Sequence, residues 1–241
     1  MITRSPSLTE KTKQHIKERI LNNEFSDGRI PSETELAQAL GVSRTTVRDA
    51  LSKLENEGFI IRKQGVGTFI NQPGLQVKTR LDEIWSYEAA LRAHGYTPEV
   101  QVLSIQQEPA SARAASRLHI EPGEPVVIIA KRFLEDATPA ILTRNVIPAA
   151  LLHCQPDATN ARQPIYELLE NCGHQRLSYY LSDILPVVAE EDVAAQLEIP
   201  VGTPLLAFDE IGYDADNQPL LWARSWFRDD RIRFRLMRRR I

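Results

Sequence analysis

The stretch PSETELAQALGVSRTTVRDAL, residues 31–51, decides how this chain is read. It holds two short amphipathic helices and the turn between them. Ser32 is placed to cap the first helix, and Glu35, three residues on, completes a capping box in which each side chain satisfies the other residue's backbone N–H. Leu36, Ala37 and Leu40 form the buried stripe. Gly41 ends the helix, in the left-handed conformation that glycine adopts without steric cost. Ser43 caps the second helix. There Val47, Ala50, Leu51 and Leu54 recur at i, i+3, i+4 and i+7, giving one apolar face. Arg44 and Arg48, four apart, project together from the side turned to solvent.

Upstream, Leu8, Thr12, Ile16 and Ile20 fall at spacing four and predict a helix over 8–23, followed by a turn at Asp27-Gly28. Downstream, Gly58 stops the second helix of the pair. Residues 59–70 then read as two short strands around Lys63-Gln64-Gly65, with Gly67 just after. Two helices joined by a glycine turn and followed by a basic hairpin outline a winged helix-turn-helix. In that outline Arg44 and Arg48 reach guanine edges in the major groove, while Ser43, Thr45 and Thr46 offer hydroxyls to phosphates or bases. Arg62, Lys63 and Gln64 sit at the hairpin tip, where Gly65 lets the backbone come close to DNA. Taken singly, the arginine pair also reads as a solvated helix face and the hairpin as a solubilising turn. Their co-occurrence with two capped helices favours DNA.

Charge is distributed accordingly. The 241-residue chain carries a net charge of −3, but residues 1–73 hold 11 Lys and Arg against 9 Asp and Glu, and the remainder 18 against 23. A mildly basic front and an acidic remainder suit a local DNA-binding face. The two cysteines, Cys154 and Cys172, are too few for a disulfide scaffold and fit a reduced cytoplasm. The first residues lack the apolar core of a secretory signal, and no window of sequence reaches the apolar length of a membrane span. A cytoplasmic protein with no membrane partner is expected.

Asn71-Gln72-Pro73-Gly74 marks a boundary, dividing the chain into a DNA-binding domain over 1–72, a linker over 73–80 and a second domain over 81–241. The second domain predicts helices over 86–94, 110–118, 165–171 and 190–197. Strands are predicted over 100–105, 126–134, 140–146, 177–188, 205–213 and 220–227, the last two as a hairpin around Asp214-Ala215-Asp216-Asn217. Strands mixed with peripheral helices make an α+β domain around an antiparallel sheet.

The segments IPSETELA (30–37), GVSRTTVRDAL (41–51) and LENEG (54–58) resemble the DNA-binding domain of the GntR family, and the likeness covers about residues 8–70. It implies a dimer on a short palindromic operator. It also implies DNA contacts from Glu33 or Thr34, from Ser43, Arg44, Thr45, Thr46 and Arg48, and from the wing at Gln64-Gly65. Thr34 stands where some branches carry Arg. The second domain resembles the HutC branch, whose UTRA effector domain is similar in fold to chorismate lyase. The segments RAHGYTP (92–98), EPGEPVV (121–127), DATPA (136–140), IYELLE (165–170) and FRDD (227–230) carry that likeness.

The resemblance implies a pocket that takes a small-molecule effector, with Ser86, Lys131, Phe133, Thr143, Ser178, Tyr180, Leu221 and Phe227 at its positions. Members that sense sugar phosphates carry Arg where this chain has Lys131 and Phe133, and Glu where it has Thr143 and Leu221. An amino-sugar phosphate is therefore not implied here. Lys131, alone or with Arg132 or Arg224, can bind a carboxylate or phosphate, or it is a strand-edge cation in solvent. Trp85, Tyr180 and Trp222 are either ligand-stacking or core aromatics.

Three features stand apart. His153-Cys154 and Cys172-Gly173-His174 are metal-ligating residue types at a spacing that fits no standard zinc motif. Arg231, Arg233, Arg235, Arg238, Arg239 and Arg240 form a basic strand or tail; the alternation from Arg231 to Arg235 around Ile232 and Phe234 predicts the solvent face of a last strand, with a second DNA contact as the alternative. No nucleophile elbow or catalytic triad signature is present. The reading that results is a ligand-responsive regulator, a repressor by family expectation. It is homodimeric, binds double-stranded DNA and a small-molecule effector, and uses no cofactor. An enzyme retaining lyase activity, or an architectural DNA-binding protein with a purely dimerising second domain, are the alternatives.

Overall fold

The computed structural model describes residues 7–25, 27–77, 81–232, 234 and 236. They form two compact units, the second of them Leu81–Phe234. The first runs α1 (Leu8–Leu21), β1 (Arg29–Ile30), α2 (Glu33–Leu40), α3 (Arg44–Asn56), β2 (Ile60–Lys63) and β3 (Gly67–Ile70). The capping box at Ser32 and Glu35 is formed as the sequence predicts, with Glu35 Oε2 accepting from the Ser32 N–H at 2.8 Å. Gly41 closes α2 at φ 65°. The apolar stripes of α1, α2 and α3 meet in one core. Ile16, Ile20, Leu36, Val47, Leu51 and Leu54 are fully buried there, and Ile60 and Ile70 from the hairpin lie beneath them.

The two-residue strand β1 was not anticipated from the sequence. It pairs with β3, Arg29 opposite Phe69 and Ile30 opposite Thr68, so the hairpin is the larger part of a three-stranded sheet in the order β1-β3-β2. Two residues carry too little periodicity to be recognised as a strand. The expected linker begins as a 3₁₀ turn over Gly74–Gln76, with Leu75 packed against the core of the first unit.

The second unit contains α4 (Tyr87–Ala93), β4 (Pro98–Pro109), α5 (Ala112–Leu118), β5 (Pro125–Glu135), β6 (Thr138–Pro148), α6 (Ile165–Gly173), β7 (Tyr179–Val188), α7 (Glu191–Leu197), β8 (Pro204–Tyr213) and β9 (Pro219–Phe227). The four helices and six strands expected over residues 86–227 are present, with β4 extending well beyond its predicted ends. The six strands form one antiparallel sheet in the order β4-β5-β6-β9-β8-β7. Side chains alternate between its faces. Phe133, Ile141, Phe208 and Phe227 build one core cluster with Leu91 of α4, and Leu142, Ala207 and Trp226 build another with Val193 and Leu197 of α7. Helices therefore cover both faces.

Two expectations are corrected. Arg231 lies in a turn and Ile232 is buried outside any strand, so the anticipated last strand does not begin there. Arg233, Arg235, Arg238, Arg239 and Arg240 lie outside the described residues. The cysteines, expected as free thiols, are joined: Cys154 and Cys172 form a disulfide with their Cα atoms 5.2 Å apart. The cause is the return of α6, whose end is held where Cys172 O accepts from the His153 N–H at 2.7 Å. His153 and His174 follow, with ring centroids 5.7 Å apart. The four suspected ligand residues are neighbours, but the two sulfurs are bonded to each other and no metal-holding cluster of side chains is found among the described residues.

Candidate DNA-reading surface and ligand cavity

At the start of α3, the Ser43 side chain accepts from the Thr46 N–H at 3.1 Å and shares a 2.8 Å hydrogen bond with the Thr46 hydroxyl. That fixes the first turn. Val47, Ala50, Leu51 and Leu54 turn inward, leaving Ser43, Arg44, Thr45 and Arg48 exposed and Thr46 half-buried. Thr34 on α2 is exposed and Glu33 half-buried. Arg48 is not free in solution: its Nε donates to both Glu33 carboxylate oxygens, at 3.4 and 3.1 Å, and Nη2 stands 3.1 Å from Oε2. The carboxylate raises the Arg48 pKa, so the guanidinium stays charged. Arg44 remains the outward cation of the pair.

The wing is anchored from behind. Arg62 donates through Nη2 to the Arg48 carbonyl at 3.2 Å and pairs with Glu55 at 3.5 Å, which ties β2 to α3. It therefore acts as a strut instead of a tip residue. Arg29 donates to the Val66 carbonyl at 3.1 Å, and Lys63 lies over the Phe69 ring. Lys63, Gln64 and Gly65 are exposed at the turn, Gly65 at φ 70°. Arg29 gives a weak signal in the sequence, because its role depends on the β1–β3 pairing.

In the second unit, a cavity of about 580 Å³ lies over one face of the sheet. Ser86, Lys131, Phe133, Thr143, Ser178 and Tyr180, six of the eight residues implied by resemblance, line it. Leu221 and Phe227 do not. Leu221 is fully buried against Gly212, and Phe227 is in the core, its ring 5.7 Å from that of Tyr87 and 4.7 Å from that of Phe208. Trp85 and Tyr180 belong to the cavity, whereas Trp222 faces the other side of the sheet, where its Nε1–H donates to Asp209 at 2.7 Å.

Lys131 is the chemical centre. It is 2% exposed on the interior strand β5, not at a sheet edge. Burial pushes its pKa down to about 8, and the Glu88 carboxylate partly offsets that. One N–H donates to the Gln163 carbonyl at 2.8 Å. An ammonium has three donors, so others remain to be satisfied. Arg132 cannot assist. The strand alternation sends it to the opposite face, where it bonds Gln101 and Glu198. Sequence reasoning missed Glu88, Asn145, Tyr166, Ser182 and Glu210, which also line the cavity. Burial raises the Glu210 pKa, and the Ser182 hydroxyl, hydrogen-bonded to it, opposes the rise. One buried cation, flanked by carboxyls, hydroxyls and aromatic rings, suits a small polar molecule with one anionic group.

Comparison with known proteins agrees with both halves. Residues 8–70 match the family described as bacterial regulatory proteins, gntR family, and residues 93–233 match the UTRA domain. The chain is 32% identical over 211 residues to the HTH-type transcriptional regulator Rv0792c of Mycobacterium tuberculosis, covering 86% of this chain and 76% of that one. It is 28% identical over 222 residues to the HTH-type transcriptional repressor NagR of Bacillus subtilis, covering 92% and 90%. The histidine utilization repressor of Pseudomonas putida is 28% identical over 200 residues, covering 83% and 79%. Among solved structures, the possible transcriptional regulator YydK of B. subtilis shares the fold with a TM-score of 0.75 at 15% identity, over 97% of this chain and all of that one. PhnF of Mycobacterium smegmatis does so with a TM-score of 0.60 at 22% identity, over 95% and 100%. A capped helix pair with a wing, followed by a six-stranded antiparallel domain, is thus an arrangement shared along nearly the whole chain: this protein belongs to the GntR family of bacterial transcriptional regulators, in the branch that carries a UTRA effector domain.

Proposed function

We propose that the protein is a cytoplasmic, homodimeric repressor that binds a palindromic operator and changes its grip on DNA when a small anionic molecule occupies the Lys131 cavity. Glu33, Thr34, Ser43, Arg44, Thr45, Thr46 and Arg48 would face the major groove, with Lys63, Gln64 and Gly65 on the adjacent backbone or minor groove. Effector contacts would come from Ser86, Lys131, Phe133, Thr143, Ser178 and Tyr180. Leu221 and Phe227 would support the walls from behind. Domains divide at 1–72 and 81–241, joined by the linker 73–80, with dimerisation assigned to the second. The likeness to the repressor NagR and to the histidine utilization repressor of P. putida supports repression. The edge strand β7 supports self-association, since Leu181, Ile184 and Val188 are 65, 47 and 60% exposed there.

The observation that carries the reading is the buried Lys131 amine opening on a cavity. A desolvated cation with unused donors favours a bound anion. An effector can move the operator equilibrium only by its differential affinity for the two conformations. The test begins with native mass spectrometry of the purified protein to identify a co-purifying small molecule. A palindrome selected from random DNA then serves as operator. Lys131→Met is expected to bind this DNA as the wild type does and to ignore the molecule. A K131M protein whose DNA binding still responds normally overturns the assignment.

A further inference from the structure

A second cavity, of about 380 Å³, lies on the opposite face of the sheet, between α5 and α7. Its floor is built from Arg144 on β6 and from Trp222, Arg224 and Trp226 on β9. Arg144 and Arg224 are direct cross-strand partners. Like charges in that position repel each other. Both guanidiniums lie over the same ring, Trp226, at 5.4 and 5.2 Å from its centroid. Arg144 is answered by Asp192, whose carboxylate is 2.6 Å from Nη2. Arg224 is answered by less: its Nε is buried and has no hydrogen-bond partner among the described residues. A buried charged donor left unmade is costly, and a fold retains one chiefly where something else completes it.

We propose that this cavity is a second ligand site, distinct from the Lys131 cavity, and that it takes a small aromatic monocarboxylate. The carboxylate would sit on Arg224, as the planar guanidinium fork fits two carboxylate oxygens. The ring would lie against Trp226 and the aliphatic wall of Val126 and Ile128. The rim decides the charge of the ligand. Glu108, Glu190 and Asp192 are exposed around the opening and disfavour a dianion such as a phosphate monoester. The size is right, since ligand pockets begin at roughly 300 Å³. The two sites share strands without sharing residues: Thr143 and Asn145 face the Lys131 cavity, and Arg144 and Val146 face this one.

The test is calorimetric titration of the full-length protein with 2-naphthoate and with its neutral amide. The wild type should bind the acid saturably, one molecule per chain, and the amide at least about tenfold more weakly. Arg224→Met should lose the acid while melting no lower than the wild type, because it also removes the repulsion with Arg144. Ile128→Trp, which fills the cavity and leaves Arg224 in place, should lose it as well. Lys131→Met should retain it. No saturable binding by the wild type, equal binding by R224M and I128W, or loss in K131M instead would each overturn the proposal. So would self-association that vanishes in R224M without any ligand binding, which would make the groove a contact between copies of the chain.

Discussion

Arg48 of α3 donates through one nitrogen to both carboxylate oxygens of Glu33 at the first turn of α2. The bond links the two helices of the reading unit at its exposed surface. It also fixes the direction of a guanidinium that still has donors to offer. Sequence spacing placed Arg48 beside Arg44 as an equivalent outward cation, whereas the structure gives the two different jobs. Glu33→Gln should therefore weaken operator binding severalfold through looser positioning of Arg48, and Arg48→Ala should weaken it about 10- to 100-fold. Fluorescence anisotropy on the selected palindrome measures both. A Glu33→Gln protein that loses more affinity than Arg48→Ala would show that Glu33 contacts DNA itself.

Among the described residues Arg44 has no such tether, and its contribution should depend on sequence. Arg44→Ala is expected to cost about 1–3 kcal/mol on the selected operator and to relax preference at one base pair per half-site. Lys63→Ala, at the wing tip, should weaken all DNA alike and lower the salt dependence of binding. Binding isotherms at two or three salt concentrations separate the two patterns. A uniform loss from Arg44→Ala would move it from base reading to the backbone.

The Lys131 amine predicts a pH dependence with a definite sign. Its pKa falls from an ordinary 10.5 to about 8 on folding, so the unfolded chain holds its proton more tightly. Between those two values stability gains from Lys131 as pH rises, and the cost of the buried charge is fully present below about 8. Lys131→Met should accordingly melt higher than the wild type at pH 7. An anionic effector needs the protonated amine, so its affinity should decline as pH rises through about 8. Calorimetric titration across pH 6.5–9.5 with the co-purified molecule checks this; a flat profile would place the anion elsewhere.

Gly212 on β8 permits the packing that keeps Leu221 out of the cavity. A Cβ there would lie 2.5 Å from Leu221 Cδ2, 2.7 Å from Leu177 Cδ1 and 3.0 Å from Tyr180 Cε1. Gly212→Ala should cost about 1–3 kcal/mol of stability by overpacking and push the Tyr180 ring toward the ligand. Urea unfolding gives the first effect and effector affinity the second. An unperturbed affinity would mean that Leu177 and Leu221 absorb the added methyl on their own.

Self-association through the β7 edge is tested by one charge. Leu181, 65% exposed, is the most exposed apolar residue of that strand. Leu181→Lys in the full chain should yield a monomer by light scattering, with the melting of the second unit little changed. Loss of the dimer should also weaken binding to a full palindrome far more than to a half-site. A dimer that survives the substitution would assign the contact to another surface.

The helix pair of the reading unit was legible because its signals are local: a cap, an apolar stripe and a closing glycine, all close together in the chain. The strands of the second unit were equally plain, since β-branched runs such as those in β5 and β6 stand out from their turns. What the sequence withheld depends on pairing across distance. The strand β1 exists only because β3 accepts it. Arg132 and Lys131 are neighbours in the chain but serve opposite faces of the sheet. The Cys154–Cys172 bridge requires α6 to turn back, and Glu210 enters the cavity from β8, far along the chain from Lys131. Leu221 and Phe227 were aligned to the cavity but face core partners instead, because family position does not fix side-chain direction.

The alternation along β6 has a consequence for how such a protein can diverge. Asn145 serves one cavity, while its sequence neighbours Arg144 and Val146 serve the other, and β9 repeats the pattern with Ala223 between Trp222 and Arg224. A mutation that retunes one chamber shifts a backbone that is also the floor of its counterpart. The two chambers are coupled wherever a replacement moves that shared backbone. A lineage whose replacements on one side move that backbone would accumulate compensating replacements on the other, and surveys of natural variants should find the changes arriving in adjacent pairs.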